Sequence, residues 1–186
     1  MSVRIYGNRE IKTLSGEATR PTSARVREAL FNIWQGRVLG RRWLDLCSGS
    51  GAMGAEALCR GAAEVLGIEK SGAACRIVEQ NWQKVAKPEQ KYQIVKGDVL
   101  QMQHLESKFD LVYFDPPYAG ELYQPVIAGL VDVLTPTGEA AVEYDASQWQ
   151  PTQIPEGLRI VREKRYGSTH LVFLRLARFD SSDKYL

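Results

Sequence analysis

The chain has 186 residues, 44% of them apolar and 25% charged, with a formal net charge of +2, which suits one domain with a full core and a modest extension. No apolar run approaches the roughly 18 residues of a membrane span, and the opening "MSVRIYGNRE" has no signal-like apolar core, so a cytoplasmic protein is expected. Three cysteines without CxxC spacing and only two histidines argue against a disulfide framework or a zinc site, and no metal is expected.

Residues 3–14, "VRIYGNREIKTL", alternate around Gly7-Asn8 and predict a two-residue hairpin. After the polar link "SGEAT", residues 20–34 place Val26, Ala29, Leu30, Ile33 and Trp34 at helical spacing, with Thr22 or Ser23 as N-cap. Arg20, Arg25 and Arg27 fall on or beside the first turns, where cations oppose the helix dipole. They are candidates for contact with an external anion, against the plainer alternative of solvated arginines. Residues 1–42 hold nine Lys/Arg against three Asp/Glu and are expected to form a basic amino-terminal extension of hairpin plus helix. Residues 43–186 are expected to form the main unit.

From residue 42 strand and helix alternate. Strands are predicted at 42–47, 64–69, 92–97, 110–115, 138–144, 158–165 and 169–177, and helices at 52–60, 71–86 and 121–133. Such alternation predicts a doubly wound α/β fold, a mostly parallel seven-stranded sheet with helices on both faces. The last two strands are joined by little more than "YGS", too short for a crossover, so they pair antiparallel. Trp34, Trp43, Trp82 and Trp149 are expected in the core or on helix faces. His104 reads as solvated and His170 as structural. Residues 43–145 hold eight Lys/Arg against fifteen Asp/Glu, and residues 146–186 seven against four. Basic ends around an acidic middle suggest a polyanion met by the ends and a different ligand in the middle.

"WLDLCSGSGAMG" (43–54) runs from strand through glycines into a helix. Gly49, Gly51 and Gly54 match the G-x-G-x-x-G dinucleotide fingerprint, with Glu69 at the end of the next strand, so a nicotinamide enzyme is one reading. Asp45 favours another: a carboxylate entering the loop repels a pyrophosphate but suits a ligand with an ammonium and a sulfonium, such as S-adenosylmethionine. Glu69 offers only acceptors to a ribose diol, and Asp98, ending the third strand in "IVKGD", can accept from an adenine amine. Three acids at the carboxyl ends of consecutive strands occupy the edge where open α/β sheets bind ligands. The candidate cofactor residues are Asp45, Ser48, Gly49, Gly51, Glu69, Lys70, Asp98, Val99 and Asp115.

The fourth strand of this series ends in "FDPPY", Phe114 to Tyr118. Pro116 and Pro117 have no N–H and a fixed φ, so the Pro116 carbonyl is held outside any ladder. An Asp115 oxygen and that carbonyl give two acceptors for the two hydrogens of an exocyclic base amine, and Tyr118 offers a face for the base to stack on. Asp115, Pro116, Pro117 and Tyr118 are the candidate catalytic set, with Asp115 orienting the amine and stabilising positive charge rather than acting as a full base. The basic "KRYGSTH" (164–170) makes Arg165 and Tyr166 candidates for RNA contact beside Arg20, Arg25, Arg27 and Tyr118.

"DPPY" after a glycine loop is similar to the motif of amino-methyltransferases acting on nucleic-acid bases. Together "RPTSARVREALFN", "DLCSGSGAMGAEALCRGA" and "KRYGSTHLVFLR" resemble the bacterial small-subunit (16S) ribosomal RNA guanine-N2 methyltransferase family across nearly the whole chain. The resemblance implies a class I (Rossmann-like) methyltransferase sheet and S-adenosylmethionine on Asp45, Gly49, Gly51, Glu69 and Asp98. It further implies guanine at Asp115 to Tyr118, and an amino-terminal segment that helps cover the site and grip RNA. The implied partner is ribosomal RNA, the small ribosomal subunit or its assembly intermediate, and nothing requires more than a monomer. Cys47 stands where the family commonly has an aromatic residue and is expected inside the strand, altering packing only. Asp180 and Asp183 match nothing recognised. Three other readings stay open: a DNA adenine-N6 methyltransferase, a nicotinamide-dependent oxidoreductase, and a non-catalytic ribosome-assembly factor.

Overall fold

The computed structural model describes residues 2–14, 24–117 and 120–177. Thr22, Ser23, Arg20, Tyr118, Asp180 and Asp183 lie outside the described residues. β1 (Ser2–Ile5) and β2 (Arg9–Lys12) form an antiparallel hairpin, followed by α1 (Ala24–Ile33). Then come β3 (Arg42–Leu46), α2 (Ala52–Cys59), β4 (Glu64–Glu69), α3 (Gly72–Val85) and β5 (Lys91–Lys96). A 3₁₀ turn (Val99–His104), β6 (Phe109–Phe114), α4 (Gly120–Val133), β7 (Leu134–Asp145), β8 (Leu158–Tyr166) and β9 (Thr169–Leu176) complete the order.

The seven strands β3 to β9 form one sheet in the order β5-β4-β3-β6-β7-β9-β8. The first five are parallel, and β9 pairs antiparallel with both β7 and β8. Near-continuous apolar strands explain why both faces are covered. Trp43, Val65, Leu111, Tyr113, Ala141, Leu171 and Phe173 turn toward the hairpin, α1, α2 and α3. Leu44, Leu46, Ile68, Val112, Phe114, Val142 and Val172 turn toward α4 and the 3₁₀ turn.

Tryptophans anchor the first layer. Phe31 stacks on Trp43 at 5.3 Å, and Trp34 meets Trp43 edge-on at 5.4 Å and Phe173 at 5.8 Å. The Trp34 indole donates to buried Glu139 at 2.7 Å, which also accepts from Arg37 at 2.9 Å. Trp34, Trp43 and Trp82 are fully buried and Trp149 nearly so, as the sequence predicts. Truncating a core Trp of this kind to alanine costs about 3–5 kcal/mol.

The hairpin is fastened to α2 and α3. Arg9 donates to Cys59 Sγ and to the Val85 carbonyl, each at 3.3 Å. The Arg60 guanidinium lies over the rings of Tyr6 (4.3 Å) and Phe31 (4.8 Å). Asn81 of α3 accepts from the Lys12 amide at 2.9 Å and donates to the Lys12 carbonyl at 2.8 Å.

Four local expectations change. The hairpin turn is three residues, Tyr6–Asn8, because Ile5 pairs with Arg9 and both Gly7 and Asn8 are left-handed. β7 starts at Leu134, earlier than expected, with a register irregularity between Phe109 and Leu111 on its neighbour. Cys47 is not in the strand: it follows β3 with φ 62°. Arg27 is not an exposed cation. It is 4% exposed, paired with Glu56 at 2.7 Å and bonded to the Arg4 carbonyl at 2.6 Å, so it ties α1 to α2 and β1 and leaves the set of RNA candidates. No helix among the described residues is long and apolar enough to cross a membrane.

Candidate active site

Strand order reverses between β3 and β6, since the chain moves outward from β3 through β4 to β5 and in the other direction from β6 to β7. Leu46 pairs with Phe114, so Cys47 and Asp115, the next residue of each, are level across the crevice where such sheets bind ligands. The sequence places its glycine loop on one lip and its Asp-Pro-Pro on the other, and the topology brings the two together.

The loop leaves β3 through alternating left-handed residues: Cys47 (φ 62°), Gly49 (φ 55°) and Gly51 (φ 72°). At Gly49 the space is open and only φ demands glycine. At Gly54 the reason is different, because a Cβ would lie 2.4 Å from Trp82 Cζ2. Trp82 also donates its indole N–H to the Gly51 carbonyl at 2.8 Å, and Asn81 donates to the Ser50 carbonyl at 2.8 Å. The same Asn81 therefore holds both the end of β2 and the loop. Ser48 turns its hydroxyl back to the Asp45 carbonyl at 2.9 Å.

The acids have distinct surroundings. Asp45 is 1% exposed beneath the loop and accepts from the Gly54 amide at 3.1 Å. Burial pushes its carboxyl up to about 8, with the Gly54 bond opposing and the Glu69 charge adding to the rise. Glu69, at the end of β4, accepts from the Gly49 amide at 2.9 Å and the Ser71 amide at 2.8 Å. A loop amide already satisfied by a carboxylate is a poor seat for pyrophosphate, which weakens the dinucleotide reading. Asp98 caps the 3₁₀ turn by accepting from the Leu100 amide at 3.0 Å and lies 3.5 Å from Lys70. The lysine is largely exposed, so this pair adds little stability. Val99 is buried directly behind Asp98.

Cys47 reports how these groups gather. Its thiol is pushed up mainly by burial and then by the charges of Glu69, Asp115, Asp45 and Asp98. Although outside the strand, it still packs against the core on the α4 side of the sheet, so it has a packing role as well as a place among the four acids. Asp115 is half-buried, Pro116 buried and Pro117 exposed. Tyr123 of α4 is raised by burial and by Asp115, Glu143 and Asp145, and its hydroxyl donates to the Glu143 carbonyl at 3.2 Å. Tyr113 donates its hydroxyl to the Glu143 carboxylate. Sequence reasoning passed over Glu143. The available signal was an acid breaking the apolar run "AAVEYD" at a strand end. Among the described residues no cluster of three or more His, Cys, Asp or Glu is arranged to hold a metal ion.

The predicted RNA contacts divide. Arg25 and Arg165 are exposed and Tyr166 is half-buried; Arg165 also donates to the Gly167 carbonyl at 3.0 Å. Arg162 and Lys164 are exposed too and form no ion pair among the described residues. They share the sheet face of Phe173 and Leu171, their register partners. Glu163 points to the other face, where its charge raises the Tyr144 phenol after burial. His104 is exposed, and His170 packs beside Tyr144 with ring centres 5.1 Å apart.

Comparison with known proteins agrees with this architecture. A protein of Escherichia coli (strain K12) named ribosomal RNA small subunit methyltransferase D is 30% identical over 172 residues, covering 89% of this chain and 85% of that one. A protein of Haemophilus influenzae with the same name is 27% identical over 166 residues, covering 88% and 86%. A solved structure titled "Putative methyltransferase yhhF from Escherichia coli" superposes with a TM-score of 0.82 at 26% identity, covering 95% of this chain and 98% of that one. The fold is that of the class I methyltransferases, and the oxidoreductase reading falls. Matched from residue 3 to residue 175, the chain belongs to the family described as conserved hypothetical protein 95.

Proposed function

We propose that this protein transfers a methyl group from S-adenosylmethionine to the N2 amine of a guanine in small-subunit ribosomal RNA. The observation that carries the reading is Asp115-Pro116 at the end of β6, level with the end of the glycine loop's strand across the point where strand order reverses. The names of the relatives support the substrate class.

The residues suit this cofactor. A buried carboxyl driven upward, as at Asp45, is relieved by a cation near the loop. Glu69 keeps acceptor capacity for ribose hydroxyls beyond its two backbone bonds. Asp98 accepts from the adenine amine, with Lys70 and Val99 beside it and Ser48, Gly49 and Gly51 forming the loop backbone. When bound, S-adenosylmethionine supplies a methyl group made electrophilic by its sulfonium. Asp115 and the Pro116 carbonyl accept the two hydrogens of the target amine and fix its direction. The Asp115 charge stabilises the positive charge that develops on nitrogen. Holding the amine nitrogen in line with the methyl carbon would supply much of the remaining acceleration, and the proton lost from the methylated nitrogen would pass to solvent water. Tyr118 stacks on the base.

Residues 1–42 grip RNA and residues 43–186 carry the chemistry. Arg20, Arg25, Arg165 and Tyr166, joined by Arg162 and Lys164, meet the phosphates of the chain, and a ribosomal substrate places the protein in the cytoplasm. The test is methyl transfer from labelled S-adenosylmethionine to small subunits, assembly intermediates, naked ribosomal RNA and DNA from cells lacking the protein, with the modified nucleoside identified by mass spectrometry. N2-methylguanosine is expected. N6-methyladenine from DNA would overturn the substrate, and cofactor binding without transfer to any acceptor would favour the assembly-factor reading.

A further inference from the structure

We propose that Glu143 selects guanine over adenine by accepting the N1–H that lies beside the target amine. The inference rests on the reading of Asp115 and Pro116 as the amine clamp. β7 is fully buried through Ala140, Ala141 and Val142, and then carries a half-buried acid near its carboxyl end. Val142 pairs with Phe114, so Glu143 is level with Asp115 on the neighbouring strand, one strand spacing or about 5 Å away. It turns to the face of Ala141, Leu171 and Tyr113. Two tyrosines hold it: Tyr113, 2% exposed, donates to the carboxylate, and Tyr123 donates to the carbonyl of the same residue.

The clamp at Asp115 and Pro116 reads an NH₂ and nothing more, so it fits the amines of guanine and adenine alike. The bases differ at the adjoining ring nitrogen. Guanine presents N1–H beside its 2-amino group, two donors in a row; adenine presents a bare N1 lone pair beside its 6-amino group. An ionised carboxylate has only acceptors to offer. Beside the clamp, Glu143 completes a hydrogen bond with guanine and sets lone pair against lone pair with adenine. Tyr113 is a positioning residue: the hydrogen bond its hydroxyl donates fixes the direction of the carboxylate.

2-Aminopurine separates the two readings, because it keeps the 2-amino group and lacks the N1 hydrogen. Once the methylated guanine has been mapped, that position is replaced by 2-aminopurine in the same RNA. Single-turnover transfer is then compared for the wild type, Glu143→Gln and Tyr113→Phe. The wild type is expected to prefer guanine by about tenfold to a hundredfold, the weight of one hydrogen bond to a charged group. In Glu143→Gln, transfer to guanine falls by about tenfold or more, transfer to 2-aminopurine stays within about threefold, and cofactor affinity is unchanged within the same margin. Tyr113→Phe narrows the preference in the same direction. Equal slowing on both bases, or a wild type indifferent between them, overturns the inference; the wild-type ratio needs no variant to fold. Guanine methylation with an unaltered ratio overturns the role of Glu143 alone. A wild type that forms no N2-methylguanosine overturns the clamp, and this inference with it.

Discussion

Asp45 has an ordinary carboxyl value of 3.8 raised to about 8 by burial. The folded chain therefore keeps a proton that the unfolded chain releases above pH 4. The stability this contributes is complete below 3.8 and is lost as pH rises toward 8. Asp45→Asn removes that loss, so the ligand-free variant should melt higher than the wild type at pH 8, by roughly 2–4 °C for each kcal/mol regained, while binding S-adenosylmethionine much more weakly. Calorimetry of both proteins at pH 5 and pH 8 checks this; a gap that does not widen with pH contradicts it. Cofactor affinity of the wild type should rise between pH 6 and 7.5, by up to about tenfold per unit, because a bound cation needs the ionised carboxylate. Titrations in Asp45→Asn should show a flat profile. The sequence disclosed this acid through its place before the glycines. Its burial was not legible, because burial depends on α2 closing over it. Arg27 shows the same gap: its helical position was readable, but its partner Glu56 is 29 residues away.

Among the elements, α3 has a part that its amphipathic pattern does not announce. Trp82 fills the space left by Gly54 and holds the Gly51 carbonyl, while Asn81 bonds the Ser50 carbonyl and both backbone groups of Lys12. One turn of helix thus supports the cofactor loop and fastens the amino-terminal hairpin. Asn81→Leu conserves size but strands three backbone groups, each costing about 1–3 kcal/mol when buried. The expected result is a lower melting temperature, by roughly 5 °C or more, together with weaker cofactor binding that Asn81→Asp restores only in part. Unchanged affinity in a folded Asn81→Leu protein would separate the hairpin from the loop. The strands were legible because apolar runs bounded by glycine, proline and acids mark them directly. The hairpin turn was not, since Gly7-Asn8 suits a two-residue turn and only the pairing of Ile5 with Arg9 reveals the third residue.

For the whole molecule, charge is arranged along the sheet. Lys164 pairs with Leu171 and Leu171 with Glu143; Arg162 pairs with Phe173 and Phe173 with Ala141. Lys164 therefore lies in the row of Glu143 and Arg162 in the next row on the same face, that of Ala141 and Tyr113, both about 10 Å from β7 by strand spacing. Positive charge on an edge strand also guards against unwanted pairing, and salt dependence separates the two roles. Replacing Arg162 and Lys164 with glutamine should lower the slope of log affinity for ribosomal RNA against log salt by about 1.4, two contacts at about 0.7 each for a single strand. An unchanged slope assigns them to edge protection. The split of charge between ends and middle was visible in the sequence. Which cations share the face of the site was not, because alternation fixes two faces for a strand and only the register with β9 says which one meets the ligand.

The most direct measurement is single-turnover methyl transfer by Asp115→Ala beside a titration of its cofactor affinity. An amine clamp requires transfer to fall by about a thousandfold, the size of losing a fixed acceptor for developing charge, with S-adenosylmethionine affinity within about threefold of the wild type. Transfer that survives the substitution, or cofactor binding that is lost along with it, would contradict the assignment of Asp115 to the target amine.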